Sequence, residues 1–465
     1  MTLWKSSDIE KAINGKASMD FDVTGVEFDS REVSEGDLFL ALKGEQSDGH
    51  LYLDKAFENG ANGAVSEQDC VHPHIRVADS TKALDDLAKA ARTRVNAKII
   101  GVTGSAGKTG TKEALFAALN RSSHGKAHRS VKSYNNHVGV PLSLSRMPAD
   151  TSFGIFEMGM NHKGELSQLT KLVRPHVAIV TTIAPAHIGH FSGEEEIADA
   201  KAEIFEGFEE GGTAIIPHDS PHYERLRKAA EKHAGEVVTF GLHADADARA
   251  IDMVPAIGGG TLVTAKIRNA NLCYTVAEAG EHWVLNSLAV LAAVQAVGGD
   301  MAAAGLALAE LPGMAGRGAR HKIAIEGGTA LVIDESYNAN PASMGVTIAA
   351  LGAEAADRRI VLLGAMKELG AASDTYHAEL AVPLRAAQVD LAILVGDEMK
   401  ILADTIAADP DHATKAVHVA DALEAEKLLK TQLCAGDALL VKGSNAMGLA
   451  AVVGSLTDAG LKRAG

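Results

Sequence analysis

Apolar and polar positions follow two rhythms along the chain, and their succession predicts the elements. Up to about residue 82, short apolar segments such as Val26-Glu-Phe-Asp-Ser-Arg31 and Gly36-Asp-Leu-Phe-Leu-Ala-Leu42 stand between polar turns, and 53–61 reads as a helix. A helical pattern over 83–94 then leads into something different. Lys98-Ile-Ile-Gly-Val-Thr103 reads as a buried strand, Gly104-Ser-Ala-Gly-Lys-Thr109 as a Gly-rich turn, and the run to Leu119 as a helix. Further buried strands are predicted at 153–158, 177–183 and 213–216 with helices between them, which means a mostly parallel sheet covered on both faces. From 249 to 279 the pattern turns strand-like around Gly258-Gly-Gly260, as expected of an antiparallel hairpin appended to that sheet, and an Ala-rich helix follows over 282–297. Pro312-Gly-Met-Ala-Gly-Arg-Gly318 is a linker by its breakers. Beyond it, strands at 330–334, 359–363, 391–395 and 438–441 alternate with helices. The ligand crevice of such a sheet belongs at the carboxyl ends of its strands, where Asp334 and Gly364 fall.

The expected fold class is therefore α/β in three domains. A small N-terminal α/β module covers 1–82, and a central P-loop-type, mostly parallel sheet with helices on both faces covers 83–311. A C-terminal Rossmann-like, doubly wound domain covers 312–465. Composition adds little but excludes much. With 46% apolar and 22% charged residues the 465-residue chain is an ordinary globular protein, and its length is that of two to four domains. Its 44 Lys and Arg against 60 Asp and Glu give a net charge of −16, which argues against nucleic-acid binding through counterion release. Cys70, Cys273 and Cys434 are odd in number and widely spaced, so neither a disulfide framework nor a zinc knuckle is implied, and the reducing cytoplasm fits. The N-terminal stretch carries charges where a secretory peptide needs apolar residues, and no uncharged apolar run approaches the ~18 residues of a membrane span.

The densest chemical signal is Gly104-Ser-Ala-Gly-Lys-Thr109 between strand and helix. There, backbone N–H groups and the helix dipole hold phosphate oxygens, Lys108 adds a mobile positive charge, and Thr109 a hydroxyl for magnesium. The usual P-loop has Gly five places before Gly107, and this chain has Val102 there. A plain Gly-rich turn is the alternative. Glu157 and His187 follow strands whose carboxyl ends form the ligand edge, which makes them candidate metal ligands, and Lys201 opens Lys-Ala-Glu-Ile-Phe205. Each also admits a bland reading, as surface carboxylate, loop histidine and solvent-facing lysine. Asn135-Asn-His-Val-Gly-Val-Pro141 and Asp334-Glu-Ser-Tyr-Asn-Ala-Asn-Pro-Ala-Ser-Met344 are either turns or linings of a crevice for a ribose or peptide-like ligand.

These segments, in this order, resemble the Mur ligase family of peptidoglycan synthesis over nearly the whole chain. Asp29-Ser30-Arg31, Gly36-Asp-Leu-Phe39 and Asp48-Gly-His50 are similar to the module that holds the UDP-sugar end. Thr103-Gly-Ser-Ala-Gly-Lys-Thr109 with Lys112-Glu113 resembles the family's own phosphate loop, Gly104, Ser105, Ala106, Gly107, Lys108, Thr109 and Gly110, whose glycine spacing also departs from the strict P-loop. The resemblance implies that Glu157 and His187 are magnesium ligands beside Thr109, and that Lys201 is carbamylated, which turns a cation with pKa near ~10.4 into an anionic oxygen ligand. It further implies that His282 and Asn286 meet the adenine and that Arg317 and Asp334 are nucleotide contacts. Ser30, Arg31, Asn135, Asn136, Tyr337, Asn338 and Asn340 are assigned to the substrates.

Ser336-Tyr-Asn-Ala-Asn-Pro341, and secondarily Asn135-Asn136, favour the branch that adds D-alanyl-D-alanine to UDP-N-acetylmuramoyl-tripeptide. The Asp-Asn-Pro-Arg signature typical of the diaminopimelate-adding relative is missing, and folate polyglutamylation leaves the N-terminal module unexplained. Lys442-Gly-Ser-Asn-Ala-Met447 departs from many members in having Asn445 in place of Arg. The expected partners are thus ATP, Mg2+ and two small-molecule substrates, with no nucleic acid, no membrane insertion and a monomeric chain. A ligase with another amino substrate, or a nucleotide-dependent switch, are the competing readings. A nicotinamide dehydrogenase is disfavoured because no G-x-G-x-x-G follows a strand.

Overall fold

Each of the three main β-sheets closes its own apolar core in the computed structural model, which describes residues 2–44, 47–185, 188–257, 259–278, 280–311 and 313–463. The first sheet runs Lys16–Ala17, His74–Arg76, Gly63–Ser66, Asp37–Leu40, Gly25–Glu27, all parallel except the first strand. Side chains alternate across it. Leu38, Leu40, Val65 and Ile75 face one core, while Phe39, Ala41 and Ala64 face another beneath helix Leu53–Glu58. Helix Ser80–Thr93 begins where Asp79 accepts the Lys82 N–H at 2.8 Å, and it crosses residue 82, where the pattern suggested a boundary. Its Ala83, Leu84, Leu87 and Ala91 complete the first of these cores, while Ala88 joins the core of the central sheet, so one helix serves both modules. Leu142 of helix Gly139–Ser145 also enters the first core, the Trp4 indole N–H donates to the Ser145 carbonyl at 2.8 Å, and the Arg94 guanidinium lies 3.4 Å over the Trp4 ring.

The central sheet has nine strands, in the order Ala270–Val276, Thr261–Ile267, Ala248–Pro255, Glu236–Gly241, Thr213–Pro217, Val177–Val180, Lys98–Thr103, Phe153–Glu157, Ala127–Arg129. In that order the first two ladders are antiparallel and every pairing from Ala248–Pro255 onward is parallel, so the appended hairpin is a three-stranded extension, with Gly258 outside the described residues. Helices Lys108–Ser122, Glu281–Ala296 and Met301–Glu310 cover one face, and Glu165–Val173 and Glu194–Ala202 the other.

The third sheet has six strands, Ala319–Ile325, Gly328–Glu335, Asp437–Lys442, Arg358–Gly364, Leu391–Val395, Lys415–Val419, with only the first antiparallel. Two of these strands escaped the sequence pattern. Ala319–Ile325 emerges from the Gly-rich linker with polar Arg320, His321 and Lys322, and Lys415–Val419 is an edge strand with no buried position. The chain passes from Gly328–Glu335 to Arg358–Gly364 and returns between them as Asp437–Lys442. That crossover opens a crevice at their carboxyl ends, bordered by Glu335, Lys442 and Gly364.

Candidate active site

Strand Lys98–Thr103 lies between Phe153–Glu157 and Val177–Val180, with Val102 opposite Glu157 and Thr103 opposite Val180. Three strand ends therefore deliver residues 104–109, Glu157 and the segment after Val180 to one place. Gly104 (φ +151°) and Gly107 (φ +81°) adopt backbone conformations that side chains disfavour. A Cβ on Gly104 would run into Thr181, and one on Gly107 would meet the Asn286 amide at 3.0 Å. The loop is pinned from beneath. Thr181 Oγ1 donates to the Ala106 carbonyl at 2.5 Å, Ser105 Oγ donates to the Ala184 carbonyl at 2.9 Å, and Ser105 N–H donates to Thr182 O at 2.8 Å. Val102 is a fully buried strand residue, so no glycine is needed there. Lys108 opens helix Lys108–Ser122 and donates to the Gly104 carbonyl at 2.6 Å; burial lowers its pKa, Glu157 opposes that shift, and Arg317 adds to it.

Glu157 is buried at the centre of a polar knot. Its Oε2 accepts from the Thr109 hydroxyl at 2.9 Å, its Oε1 from the Asn135 amide at 2.8 Å, and its own N–H donates to Ser130 Oγ at 3.0 Å. Lys112, one turn beyond Lys108, is fully buried with Nζ 3.9 Å from Glu157 Oε2 and 3.1 Å from Glu113 Oε1, and it donates to the Lys132 carbonyl at 2.5 Å. Lys201 stands in the last turn of helix Glu194–Ala202 and is 2% exposed, not a solvent-facing lysine. Burial pushes its ammonium far below the usual range and the Lys108 charge adds to the effect. His187 lies outside the described residues. Among the described residues no group of three His, Cys, Asp or Glu side chains is placed to hold a metal ion. The oxygen donors of Glu157 and Thr109 nonetheless suit a hard cation, and an uncharged, buried Lys201 amine is the form that reacts with CO2.

On the other side of the loop, His282 is half-buried with its Nδ1 buried and unpartnered, and desolvation, with the Lys442 charge, lowers its pKa to about 4. Asn286 and Trp283 join Gly110, Ala114, Val276 and Leu311 around a small, largely apolar cleft beside helix Lys108–Ser122. The C-terminal crevice closes against this surface. Arg317 donates to Ser133 Oγ at 3.2 Å with its guanidinium 4.1 Å over the Tyr337 ring, and the Asn340 amide donates to the Ser105 carbonyl at 3.4 Å. Buried Lys442 donates to the Asn338 carbonyl at 2.9 Å and lies 3.5 Å from Glu335 Oε2. Burial pushes the Lys442 ammonium down and the Glu335 carboxyl up.

Comparison with known proteins bears on the whole chain. Residues 22–96 match the pattern of the Mur ligase family catalytic domain, 102–294 the Mur ligase middle domain, and 320–445 the Mur ligase glutamate ligase domain. The chain is 31% identical over 465 residues to the UDP-N-acetylmuramoyl-tripeptide–D-alanyl-D-alanine ligase of Rickettsia prowazekii, covering 97% of this chain and 99% of that one. It is 30% identical to the ligase of the same name from Escherichia coli K12, covering 99% of each. The chain belongs to the Mur ligase family. The crystal structure of MurF from Acinetobacter baumannii matches at TM-score 0.84 and 28% identity over 98% of this chain and all of that one. MurF ligase from Thermotoga maritima in complex with ADP matches at 0.76 and 27%, over 95% and 99%.

In this Mur ligase the structure brings residues 104–110, Glu157, Lys201, Asn286, Arg317 and Asn340 around one centre, yet several expected contacts are engaged elsewhere. Asp334 is a clamp on its own turn: Oδ2 accepts the Gly316 N–H at 2.6 Å, and Oδ1 accepts the Ser336 N–H at 3.1 Å and hydroxyl at 2.6 Å. Asn136 Oδ1 accepts from Val138 and Gly139 at the start of helix Gly139–Ser145, and Asn340 Oδ1 caps helix Pro341–Gly352 through Ser343 N–H at 2.9 Å. Ser30 is buried, its carbonyl bonded to the Asn59 amide at 2.7 Å. Arg31 is exposed and paired with Asp29 at 2.6 Å. Both nevertheless sit beside the 130–136 loop, since Glu32 pairs with Lys132 and the Phe28 ring lies 5.8 Å from Tyr134. The pattern gave no role to Ser133, Lys442 or Glu335. For Lys442 the signal was a lysine ending an otherwise apolar strand, Ala438-Leu-Leu-Val-Lys442.

Proposed function

We propose that this Mur ligase adds D-alanyl-D-alanine to UDP-N-acetylmuramoyl-tripeptide in an ATP-dependent reaction through an acyl phosphate, releasing ADP and phosphate. The observation that carries the reading is a phosphate loop faced by the C-terminal crevice, in a chain matched end to end by ligases of that name. The tripeptide carboxylate attacks the γ-phosphorus, and the dipeptide amine then attacks the carbonyl carbon of the acyl phosphate. The first step brings two anions together. Lys108, turning from the Gly104 carbonyl to the phosphates, and Arg317 lower that repulsion, and the N–H groups of 106–109 at the helix start hold the phosphate oxygens. Thr109, Glu157, His187 and a carbamylated Lys201 would hold Mg2+, whose charge offsets that on the transferring phosphoryl group. The carbamate forms when the Lys201 Nζ in its neutral form attacks CO2 and loses a proton to solvent, which replaces a buried amine with an anion.

His282 and Asn286 border the place for the base, and neutral His282 offers Nδ1 as its free polar atom. Ser30, Arg31, Asn135 and Asn136 line the muramyl side, and Tyr337, Asn338 and Asn340 the dipeptide side. Residues 313–318 are the hinge on which the C-terminal domain closes and excludes water from the acyl phosphate. Nucleotide-linked substrates and unpaired cysteines suit the cytoplasm, and no helix among the described residues is long and apolar enough to cross a membrane. The test is phosphate release from ATP with UDP-muramyl tripeptide, with and without D-alanyl-D-alanine, followed by product mass. Release that needs both substrates and a pentapeptide product are expected. Turnover indifferent to the dipeptide would refute the reading.

A further inference from the structure

The segment after strand Arg358–Gly364 leaves the C-terminal sheet and reaches the central domain, where the Gly189 N–H donates to the Glu368 carbonyl at 3.2 Å. Gly189 follows His187 by two residues, so this contact touches the stretch that carries an expected metal ligand. The segment is shaped by its backbone. Glu368 takes a left-handed φ of +64° and Gly370 one of +57°, while Met366 and Leu369 are buried in the C-terminal core. Three successive N–H groups each need an acceptor: Ala365 donates to Val395 O at 3.1 Å, Lys367 to Ser444 Oγ at 2.9 Å, and Met366 to the imidazole Nε2 of His377 at 2.9 Å. His377 is fully buried in helix Ser373–Glu379, and its Nδ1 lies 2.8 Å from the Ser373 carbonyl.

The partners fix the ring's state. A backbone N–H can only donate and a carbonyl can only accept, so Nε2 must be bare and Nδ1 must carry the proton. We propose that His377, as this neutral tautomer, is a positioning residue that holds residues 365–370 in the shape that meets the central domain at Gly189, and so sets the closed arrangement for ligation. The inference rests on the ligase reading for its kinetic consequence and on geometry alone for its structural one. Protonation would place Nε2–H against Met366 N–H. The charged groups facing the ring are Glu398 and Asp374, which favour the proton, and Lys367, which opposes it; burial outweighs them and lowers the pKa below 6.5.

The experiment compares H377F, which removes the acceptor, with H377Q, whose side-chain carbonyl can take the Met366 N–H, in the full chain. Hydrogen exchange over residues 365–371 is read without substrates, alongside kcat and the KM values for ATP and dipeptide. H377F should exchange faster in that segment and lose about tenfold in kcat, with KM for ATP unchanged. H377Q should regain most of both and lack the acid-side decline of kcat expected of the unaltered chain as His377 takes up a second proton. Wild-type exchange in H377F, equal losses in the two variants, or an acid limb persisting unaltered in H377Q would each overturn the proposal. If H377F does not fold, the pH profile of H377Q decides. Exchange needs no turnover, so failure of the ligase reading would leave this arm standing.

Discussion

Removing the buried Lys112 side-chain amine tests how the Glu157 carboxylate is held. Lys112→Met keeps the length and apolar character of the stem but deletes the donor to the Lys132 carbonyl at 2.5 Å and the charge 3.9 Å from Glu157 Oε2. At an effective dielectric near 20, charges at that separation attract by about 4 kcal/mol. Breaking a buried pair from one side costs about 3–5 kcal/mol, because the remaining charge is left without its counterion. For a domain of this size that is a melting shift of roughly 10 °C. Differential scanning calorimetry of the unliganded chain measures it. The cause is separable from lost packing by a second substitution: Glu157→Gln removes the stranded charge, so K112M/E157Q should recover at least half of the K112M loss, a coupling expected of contacting groups and not of independent ones. The reasoning fails if K112M melts within about 2 °C of the unaltered chain, or if the two substitutions simply add.

Three other outcomes are expected. Lys201→Ala should abolish phosphate release, and bicarbonate should restore nothing; intact-protein mass spectrometry under CO2 should show one CO2 adduct on the unaltered chain that K201A lacks, and full activity in K201A would remove the carbamate. His282 and His128, the latter half-buried with its Nε2 2.7 Å from the Ser143 carbonyl, both have pKa lowered from 6.5 to about 4 by desolvation of the ring, so the unfolded chain binds the extra protons. The stability tied to these neutral rings is complete above pH 6.5, declines as pH falls toward 4, and amounts to about 3 kcal/mol each. Thermal melts from pH 7 to 4 should therefore fall less steeply in H128N and H282N, and parallel slopes would contradict the assignment. Asn340→Ala should lose about 1 kcal/mol from the missing helix cap and weaken closure, seen as a larger radius of gyration by small-angle scattering with nucleotide bound.

Local pattern was enough for the elements whose signal lies within a dozen residues. The strand, turn and helix around 98–119, the helix over Glu281–Ala296 and the position of Glu157 at a strand end all follow from periodicity and turn chemistry. What was illegible depends on partners far away in the chain. Nothing near Asn136 says that its amide oxygen is spent on the start of the next helix, and nothing near Asp334 says that Gly316, on the linker, consumes one of its oxygens. The edge strand Lys415–Val419 was lost because edge strands are half solvated and lack the apolar run that marks their central neighbours. Lys112 and Lys442 were visible as residues but not as buried charges, since burial belongs to the assembled sheet and not to the sequence window.

The helix shared by two cores bears on how the chain is made. The first module's interior is unfinished at residue 97, because it still awaits Leu142, and its N-terminal tryptophan awaits the carbonyl of Ser145. A nascent chain halted by the ribosome short of that point would hold an open apolar face, so the opening segment matures only after the nucleotide loop has already been translated.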